Sequence, residues 1–339
     1  MLLSHFVRAM SVFLFASLMW PSFGQADGLQ FFKIGSGSKG GVYYPIAYGI
    51  ATAISNPPVS KSCAQGGNCG VPGLVGSAES TGGSVENVDG LTMQKFHAGI
   101  VQSDVAYWAY TGTGPFRTRK RNEDLCAIAS LYNEAFHLVG SATANINDVN
   151  DLKGKRVALG ALGSGSLIGA QLVVRAYGFA ENKDFQMVEA DFQSAQKMMA
   201  AGDIDAFAYV TAFPNDAINK MTKTTGARVV SVSGKGRDKL VKRFPFYTAE
   251  KIPTGTYAGQ DVDKETLAVP ALWISRKSVT DDRIYDVTKA FWKNPASRGI
   301  MDDAHERGKN VTLRTAFKGV SIPYCDGAKK FYREIGKLR

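Results

Sequence analysis

The chain has 339 residues, of which 45% are hydrophobic and 21% are charged. These values are those of a globular protein with about two domains and exclude a single membrane-spanning or fibrous unit. The formal net charge is +10, but the basic residues are spread along the chain, which argues against a nucleic-acid partner. The densest basic stretch, "FRTRKRNED" at 116–124, is interpreted as a solvated loop, with a docking patch for a membrane partner as the alternative.

The N-terminal segment has the pattern of a secretory signal peptide. Arg8 precedes an apolar run from Val12 to Trp20, and small residues follow at 24–26. This pattern predicts cleavage after Ala26 and export to the periplasm. No later segment has 18 uncharged apolar residues in a row, so we expect no transmembrane helix in the mature protein.

The first element after this segment is a strand that enters a glycine loop, "FFKIGSGSKGGVYYP" at 31–45. Apolar residues at helical spacing in "YPIAYGIATAIS" predict that a helix follows. Gly35, Gly37 and Gly40 match the G-x-G-x-x-G pattern, which in dinucleotide-binding proteins is accompanied by an acidic residue about 20 positions later. Since no acidic residue occurs between Asp27 and Glu79, the sequence argues against a dinucleotide site.

The next segments predict further strand and helix pairs. "GLVGSAES" is a short strand, and "TGGSVENVDGL" is a turn followed by a helix. Ala98 to Val101 form a buried strand that ends in the polar residues Gln102, Ser103 and Asp104. We expect Asp104 or Ser103 to cap the helix "VAYWAYTG".

The second half of the chain continues this alternation. "LCAIASLY" and "AFHLVGSAT" are two strand candidates, "RVALG" is a strand, and "ALGSGS" is a loop that opens a helix. A helix, a strand at 206–210 with a polar end at 211–215, a last strand "ALWISRKSV" and helical segments to Arg339 follow. Alternation over this length predicts two parallel α/β sheets, with ligands bound at the carboxyl ends of the strands.

Three loops rich in glycine and serine are candidates for an anion site. Backbone N–H groups at a helix start attract anions, and a carboxylate fits that geometry. The first loop offers Ser36, Ser38 and Lys39 as further donors. The other two are Gly163-Ser164-Gly165-Ser166 and Thr81-Gly82-Gly83-Ser84.

The chain has four cysteines, an even number, and export places them in an oxidising compartment. Two disulfides are therefore expected, in one of three connectivities. Cys63 and Cys69 flank the flexible stretch "AQGGN", so we pair them and leave Cys126 with Cys325.

Catalytic patterns are weak. The sequence has no G-x-S-x-G and no G-x-x-x-x-G-K-[ST] match, and the cysteines and histidines lack zinc-ligand spacing. Glu134 and Asp104 have acid–base chemistry, but the sequence fixes no partner for either. We expect a protein that is not an enzyme and has no cofactor and no metal.

Six ordered motifs resemble the TAXI proteins, the periplasmic solute-binding subunits of one class of tripartite ATP-independent periplasmic (TRAP) transporters. They are "FFKIGSGSKGGVYYPIAYGIATAIS", "STGGSVENVDGL", "AGIVQSDVAYWAY", "DLKGKRVALGALGSGS", "DAFAYVTAFPNDAI" and "IPYCDGAKKFYREIG". The resemblance implies a type II periplasmic binding protein fold, in which two α/β lobes joined by crossing hinge strands close over a ligand. It also implies that Cys126 and Cys325 attach the C-terminal segment to the first lobe.

The implied boundaries are a signal peptide at 1–26, a first lobe at 27–137, a second lobe at 138–276, and a C-terminal segment at 277–339 that returns to the first lobe. The implied ligand-binding positions are Ser36, Gly37, Gly40, Tyr43, Gly82, Gly83, Ser84, Gln102, Ser103, Asp104, Gly163, Ser164, Gly165, Ser166 and Thr211. The family often has threonine or glycine where this chain has Ser36 and Lys39, and a proline-bearing loop in place of "ALGSGS". Lys39 in particular leaves the ligand open.

The expected function is that of a periplasmic receptor that captures a small carboxylate, either a glutamate-like amino acid or a dicarboxylate, and delivers it to TRAP membrane permease subunits. One alternative is an orphan receptor that senses a solute for a signalling partner. Another, from a different class, is an exported hydrolase.

Overall fold

The computed structural model describes residues 28–339, so the predicted signal peptide lies outside the described residues. The strands are β1 (Gln30–Gly35), β2 (Ser55–Asn56), β3 (Val71–Pro72), β4 (Leu74–Glu79), β5 (Ala98–Gln102), β6 (Leu125–Gly140), β7 (Arg156–Ala158), β8 (Gln186–Val188), β9 (Ala206–Thr211), β10 (Arg228–Val230), β11 (Thr248–Ile252) and β12 (Lys264–Arg276). The α-helices are α1 (Tyr43–Ile54), α2 (Ser84–Thr92), α3 (Ser103–Thr111), α4 (Gly165–Ala176), α5 (Phe192–Ala201), α6 (Asp216–Thr225), α7 (Lys235–Arg243), α8 (Asp281–Lys293), α9 (Ser297–Ala304) and α10 (Asp326–Glu334).

Two groups of parallel strands form two lobes. In lobe one, β1 pairs in parallel with β4 and β5, whereas in lobe two β7 pairs in parallel with β8 and β9. Each parallel strand leads through a loop into a helix. The carboxyl ends of all six strands therefore carry the loops that matter for the site.

The antiparallel strands β6 and β12 join the lobes. The first half of β6 pairs with β12, and the second half, 135–140, pairs with β9. Likewise β12 pairs with β11 over 264–268 and with β5 over 271–275. This topology is that of two α/β lobes connected by crossing strands, and it confirms the predicted fold class.

The sequence interpretation was wrong on two points of the sheet. "LCAIASLY" and "AFHLVGSAT" are one continuous strand, β6, in which all residues except Asn133 are buried. A strand buried on both faces lacks polar alternation, and the two strand candidates were separated at the polar residues Asn133 and Glu134. Because β6 and β12 cross both lobes, ten of the twelve described strands form one mixed sheet and not two parallel sheets, while β2 and β3 form a separate pair.

The helices cover the sheet and enclose its core. In lobe one, α1, α8 and α10 bury Ile46, Phe291 and Phe331 against Trp273 of β12. In lobe two, α5 and α6 pack against the strands of that lobe, and Phe207 of β9 and Met221 of α6 lie in the core. A third cluster contains residues of both lobes, among them Trp108 and Phe246. Among residues 28–339 no helix has the length and hydrophobicity needed to cross a bilayer.

Both predicted disulfides are confirmed. Cys63 is bonded to Cys69, and Cys126 on β6 is bonded to Cys325, which precedes α10. The backbone around the second disulfide is also paired, because the Cys325 amide donates to the Ala127 carbonyl at 2.9 Å. The C-terminal segment is thus fixed to lobe one by a covalent bond and by main-chain hydrogen bonds.

Candidate ligand-binding cleft

A cavity of about 100 Å³ lies between the lobes, at the carboxyl ends of the parallel strands. The residues that line it are Gly37, Ser38, Gly41, Val42, Tyr43, Gly82, Gly83, Ser84, Gln102, Glu134, Ala158, Gly160, Ala161, Ser164, Gly165, Ser166, Ala190, Asp191, Phe192, Ala195, Ala208, Tyr209, Val210 and Thr211.

The structure brings ten of the fifteen predicted positions to this cavity. They are Gly37, Tyr43, Gly82, Gly83, Ser84, Gln102, Ser164, Gly165, Ser166 and Thr211. The glycine and serine loops of both lobes therefore do meet, although their segments are far apart in the sequence.

The other five predicted positions lie beside the cavity. The buried Ser36 hydroxyl donates to the Glu79 carbonyl at 2.6 Å, and Gly40 is exposed. The Ser103 hydroxyl donates to the Gly319 carbonyl at 2.6 Å, and the Asp104 carboxylate accepts from the Tyr247 hydroxyl. These serine and aspartate side chains hold loops together. Gly163 contributes its backbone, as described below.

Two sequence expectations near these positions have a different outcome. The helix α3 begins at Ser103 after Gln102 and has no side-chain cap, so neither Ser103 nor Asp104 caps it as predicted. Lys39 is exposed, and its Nζ lies 5.8 Å from the centre of the Tyr44 ring, outside the residues that line the cavity.

The start of α2 makes a direct contact between the lobes. The Gly163 carbonyl of lobe two accepts hydrogen bonds from the Val85 and Glu86 amides, both at 3.1 Å. These are amides of the first turn of α2, which have no acceptor within the helix. Thus a carbonyl of the opposite lobe occupies part of the helix start that the sequence assigned to an anion, and the lobes are closed.

The start of α4 remains open toward the cavity. Ser164 caps this helix, because its Oγ accepts from the Leu167 amide at 3.1 Å and donates to the Ala161 carbonyl at 2.7 Å. Gly165 and Ser166 are the first two residues of α4 and line the cavity. Their amides have no acceptor within the helix, and the helix dipole adds positive potential there. This helix start is suited to a carboxylate.

Glu134 is a functional candidate whose partner the sequence did not reveal. It lies on β6 where the strand passes between the lobes, is 2% exposed, and lines the cavity. Its Oε2 accepts a hydrogen bond of 2.7 Å from the Tyr43 hydroxyl. Burial, with the nearby Asp104 charge as a further cause, raises the pKa of Glu134 to about 8 although the Tyr43 bond opposes the rise.

Two other buried polar atoms of the lining have no hydrogen-bond partner among the described residues. They are Gln102 Oε1, on a residue that is 3% exposed, and Thr211 Oγ1, on a residue that is 1% exposed. A buried polar group without a partner costs about 1–3 kcal/mol. Both residues line the cavity, so a bound ligand is the natural partner of both atoms.

Aromatic residues form the wall of the cavity in lobe two, and sequence reasoning missed them. Phe192 stacks on Tyr209, with 3.9 Å between ring centres and 5° between planes. Tyr209 lies on β9. Phe192 comes after the strand β8, which has only three residues and was not predicted. The aspartate before Phe192, a helix-start signal, was the one available clue.

Comparisons with known proteins give a family match and several solved structures with a similar fold. A profile of the NMT1-like family matches residues 34–336. A solved protein from Bordetella bronchiseptica RB50 is similar with a TM-score of 0.50 and 14% identity over 91% of this chain and 82% of that chain. A binding protein component of an ABC phosphonate transporter from Pseudomonas aeruginosa has a TM-score of 0.50 and 11% identity over 81% and 79% of the two chains.

A protein from Xanthomonas citri bound to ATP has a TM-score of 0.50 and 11% identity over 90% of this chain and 99% of that chain. At such identities the similarity establishes the fold alone, which is that of the periplasmic binding proteins. The profile match covers nearly all of the described residues, and the chain therefore belongs to the NMT1-like family.

Proposed function

We propose that this protein is a periplasmic receptor that captures a small organic anion by closure of its lobes and delivers it to a membrane transporter. The observation that carries the proposal is the cavity between the lobes, whose lining comes from the carboxyl ends of strands in both. Because residues of both lobes would contact the ligand, the closed state binds more tightly than the open one. Binding then stabilises closure.

The anionic group is a carboxylate at the start of α4. The Gly165 and Ser166 amides and the helix dipole supply positive potential there. The Ser166 Oγ accepts from the Val210 amide at 3.0 Å, which orients the hydroxyl and leaves its hydrogen to donate. The ligand is a glutamate-like amino acid or a dicarboxylate, as the resemblance to TAXI proteins implies.

The partner is the permease of a TRAP transporter. Support comes from the six TAXI-like motifs, which extend from residue 31 to residue 336. The Pseudomonas aeruginosa protein described above belongs to an ABC phosphonate transporter, so the partner class requires its own test. Pull-down assays with TRAP permease subunits of the source organism, with and without ligand, distinguish a transporter from the orphan sensor.

Native mass spectrometry of the protein purified from cells tests the proposed function. We expect a copurified small molecule that denaturation releases unchanged, and a rise of the melting temperature when that molecule is added back. Recovery of a chemically altered molecule on incubation would support the exported hydrolase. If no carboxylate among C4 to C6 dicarboxylates and amino acids binds, the proposed function is wrong.

A further inference from the structure

The charges of the cavity are opposite in sign to those expected for the receptor of a dianion. The lining contains the two carboxylates of Glu134 and Asp191 and, among the described residues, no lysine, arginine or histidine. This contrasts with the whole chain, whose formal net charge is +10. A dicarboxylate would bring two negative charges into a small space that already holds a buried acid.

The two acids are not equivalent. The Asp191 carboxylate is exposed and caps α5, because its Oδ1 accepts from the Ser194 amide at 2.7 Å. Glu134 is buried and, within residues 28–339, forms no ion pair. Its single hydrogen bond in this part of the chain comes from the Tyr43 hydroxyl to Oε2. A buried ionised carboxylate without a cationic partner is costly, which favours the neutral acid in the empty cavity; the ammonium group of a ligand would supply the counter-charge that ionised Glu134 needs.

Other oxygen atoms accompany Glu134. Gln102 Oε1 and Thr211 Oγ1 line the same cavity, are buried, and have no partner among the described residues. A carboxylate, an amide oxygen and a hydroxyl oxygen all accept hydrogen bonds, and an ammonium group offers three donors. The amide start of α4 supplies the opposite chemistry, since it only donates.

We infer that the ligand is a zwitterionic amino acid, whose ammonium group pairs with Glu134 and whose carboxylate binds the start of α4. This inference rests on the proposed function and decides between its two ligand classes, because it excludes the dicarboxylates. Glu134 is then the residue that determines specificity, with Gln102 and Thr211 as additional acceptors for the ammonium group.

The decisive experiment compares ligands that differ in the amine alone. A thermal-shift screen of the twenty L-amino acids on the ligand-free protein gives the best binders. Calorimetry then measures each of these against its analogue in which hydrogen or hydroxyl replaces the amine, with L-glutamate and glutarate as one fixed pair. A lost charged hydrogen bond predicts that the analogue binds on the order of 10- to 100-fold more weakly.

The variant Glu134→Gln tests the residue. It keeps the size of the side chain and removes the ability to ionise beside an ammonium group, so we expect amino-acid affinity to fall by a similar factor. Glu123→Gln is the matched control, because Glu123 is an exposed acid that pairs with Arg121 at 3.3 Å outside the cavity. The amino-acid affinity of this variant should equal that of the wild type.

Two results would overturn the inference. One is equal or tighter binding of glutarate relative to L-glutamate by the wild-type protein, a comparison that needs no variant to fold. The other is unchanged or increased amino-acid affinity of Glu134→Gln, because a side chain that pairs with the ammonium group cannot be replaced by a neutral amide without a loss of affinity. If neither amino acids nor dicarboxylates bind the wild type, the proposed function itself fails.

Discussion

Gly165 of lobe two lies so close to Gln102 of lobe one that a side chain at position 165 would contact the Gln102 side chain where it now lies. A Cβ atom at position 165 would lie 2.5 Å from Gln102 Oε1 and 2.8 Å from the Ser84 Oγ. A side chain at this position would therefore require the Gln102 and Ser84 side chains to move before the lobes could close in this arrangement.

Gly165→Ala should therefore weaken ligand binding without unfolding either lobe. Overpacking costs about 1–3 kcal/mol, which here opposes closure and lowers affinity roughly tenfold or more. Calorimetry and thermal unfolding of the ligand-free protein measure the two effects. Gly169→Ala is the control on the same helix, where a Cβ atom would lie 3.4 Å from Val210; loss of affinity in both variants would refute the closure argument.

The serine hydroxyls of the two loops give a second prediction. Ser84 Oγ accepts a hydrogen bond from the backbone N–H of Gln102 at 3.0 Å, and Ser164 caps α4. Ser84→Ala and Ser164→Ala should each lower ligand affinity, by about 1 kcal/mol for the loss of a hydrogen bond or cap, while circular dichroism stays that of the wild type. If neither variant changes affinity, the cleft is not the binding site.

The pH dependence of stability reports on Glu134. Its pKa is about 8 in the folded protein and 4.5 ordinarily, so between these values the folded chain binds more protons than the unfolded chain. Stability must then fall as pH rises through this window, by at most about 1.4 kcal/mol per pH unit for one group. Asp104, with a pKa of about 6, acts with the same sign only at lower pH.

Urea unfolding of the ligand-free protein at pH 6.5, 7.2 and 8 separates these contributions. Near Glu134 the titratable groups are Asp104 and the tyrosines 43, 132 and 209, and burial raises the pKa of each tyrosine, which keeps its proton here. We expect the unfolding midpoint of the wild type to fall across this range more than that of Glu134→Gln. Parallel curves would show that Glu134 is ionised in the folded protein.

The two disulfides should contribute unequally to stability. Cys126–Cys325 closes a loop with a sequence separation of 199, whereas Cys63–Cys69 has a separation of 6. In the chain-entropy account the stabilisation grows with loop length, from about 2 kcal/mol for the short loop to about 5 kcal/mol for the long one. Denaturant unfolding of Cys63→Ala/Cys69→Ala and Cys126→Ala/Cys325→Ala measures both; a larger loss in the first variant would contradict the prediction.

The parts of the site that sequence predicted are those that depend on local chemistry. A run such as Gly163 to Ser166 has few uses other than a turn with free amides at a helix start, and the structure does place its last three residues in the lining of the cleft. The parallel strands before these loops could also be predicted, because strands and helices alternate along the sequence. Such features need no information about distant segments.

Glu134 shows why the rest was beyond reach. Its partner Tyr43 is 91 residues away in sequence, and the charge has meaning only once burial and the lack of a basic neighbour are known. The polar pair at 133–134 also suggested a break between two strands, although hydrogen bonds to β9 and β12 on both sides keep β6 continuous. Tertiary pairing overrode the local signal there.

The position of Glu134 on β6 also bears on how capture proceeds in time. Glu134 pairs with Val269 of β12, and pairing with β9 begins at the next residue, Ala135; if closure rotates the lobes about this crossing strand, Glu134 lies near the axis of that rotation. A group on a rotation axis is displaced least when the lobes separate. We therefore expect the open receptor to present this carboxylate already in place as the first point of attachment, while the start of α4 arrives with the moving lobe and determines how long the solute stays.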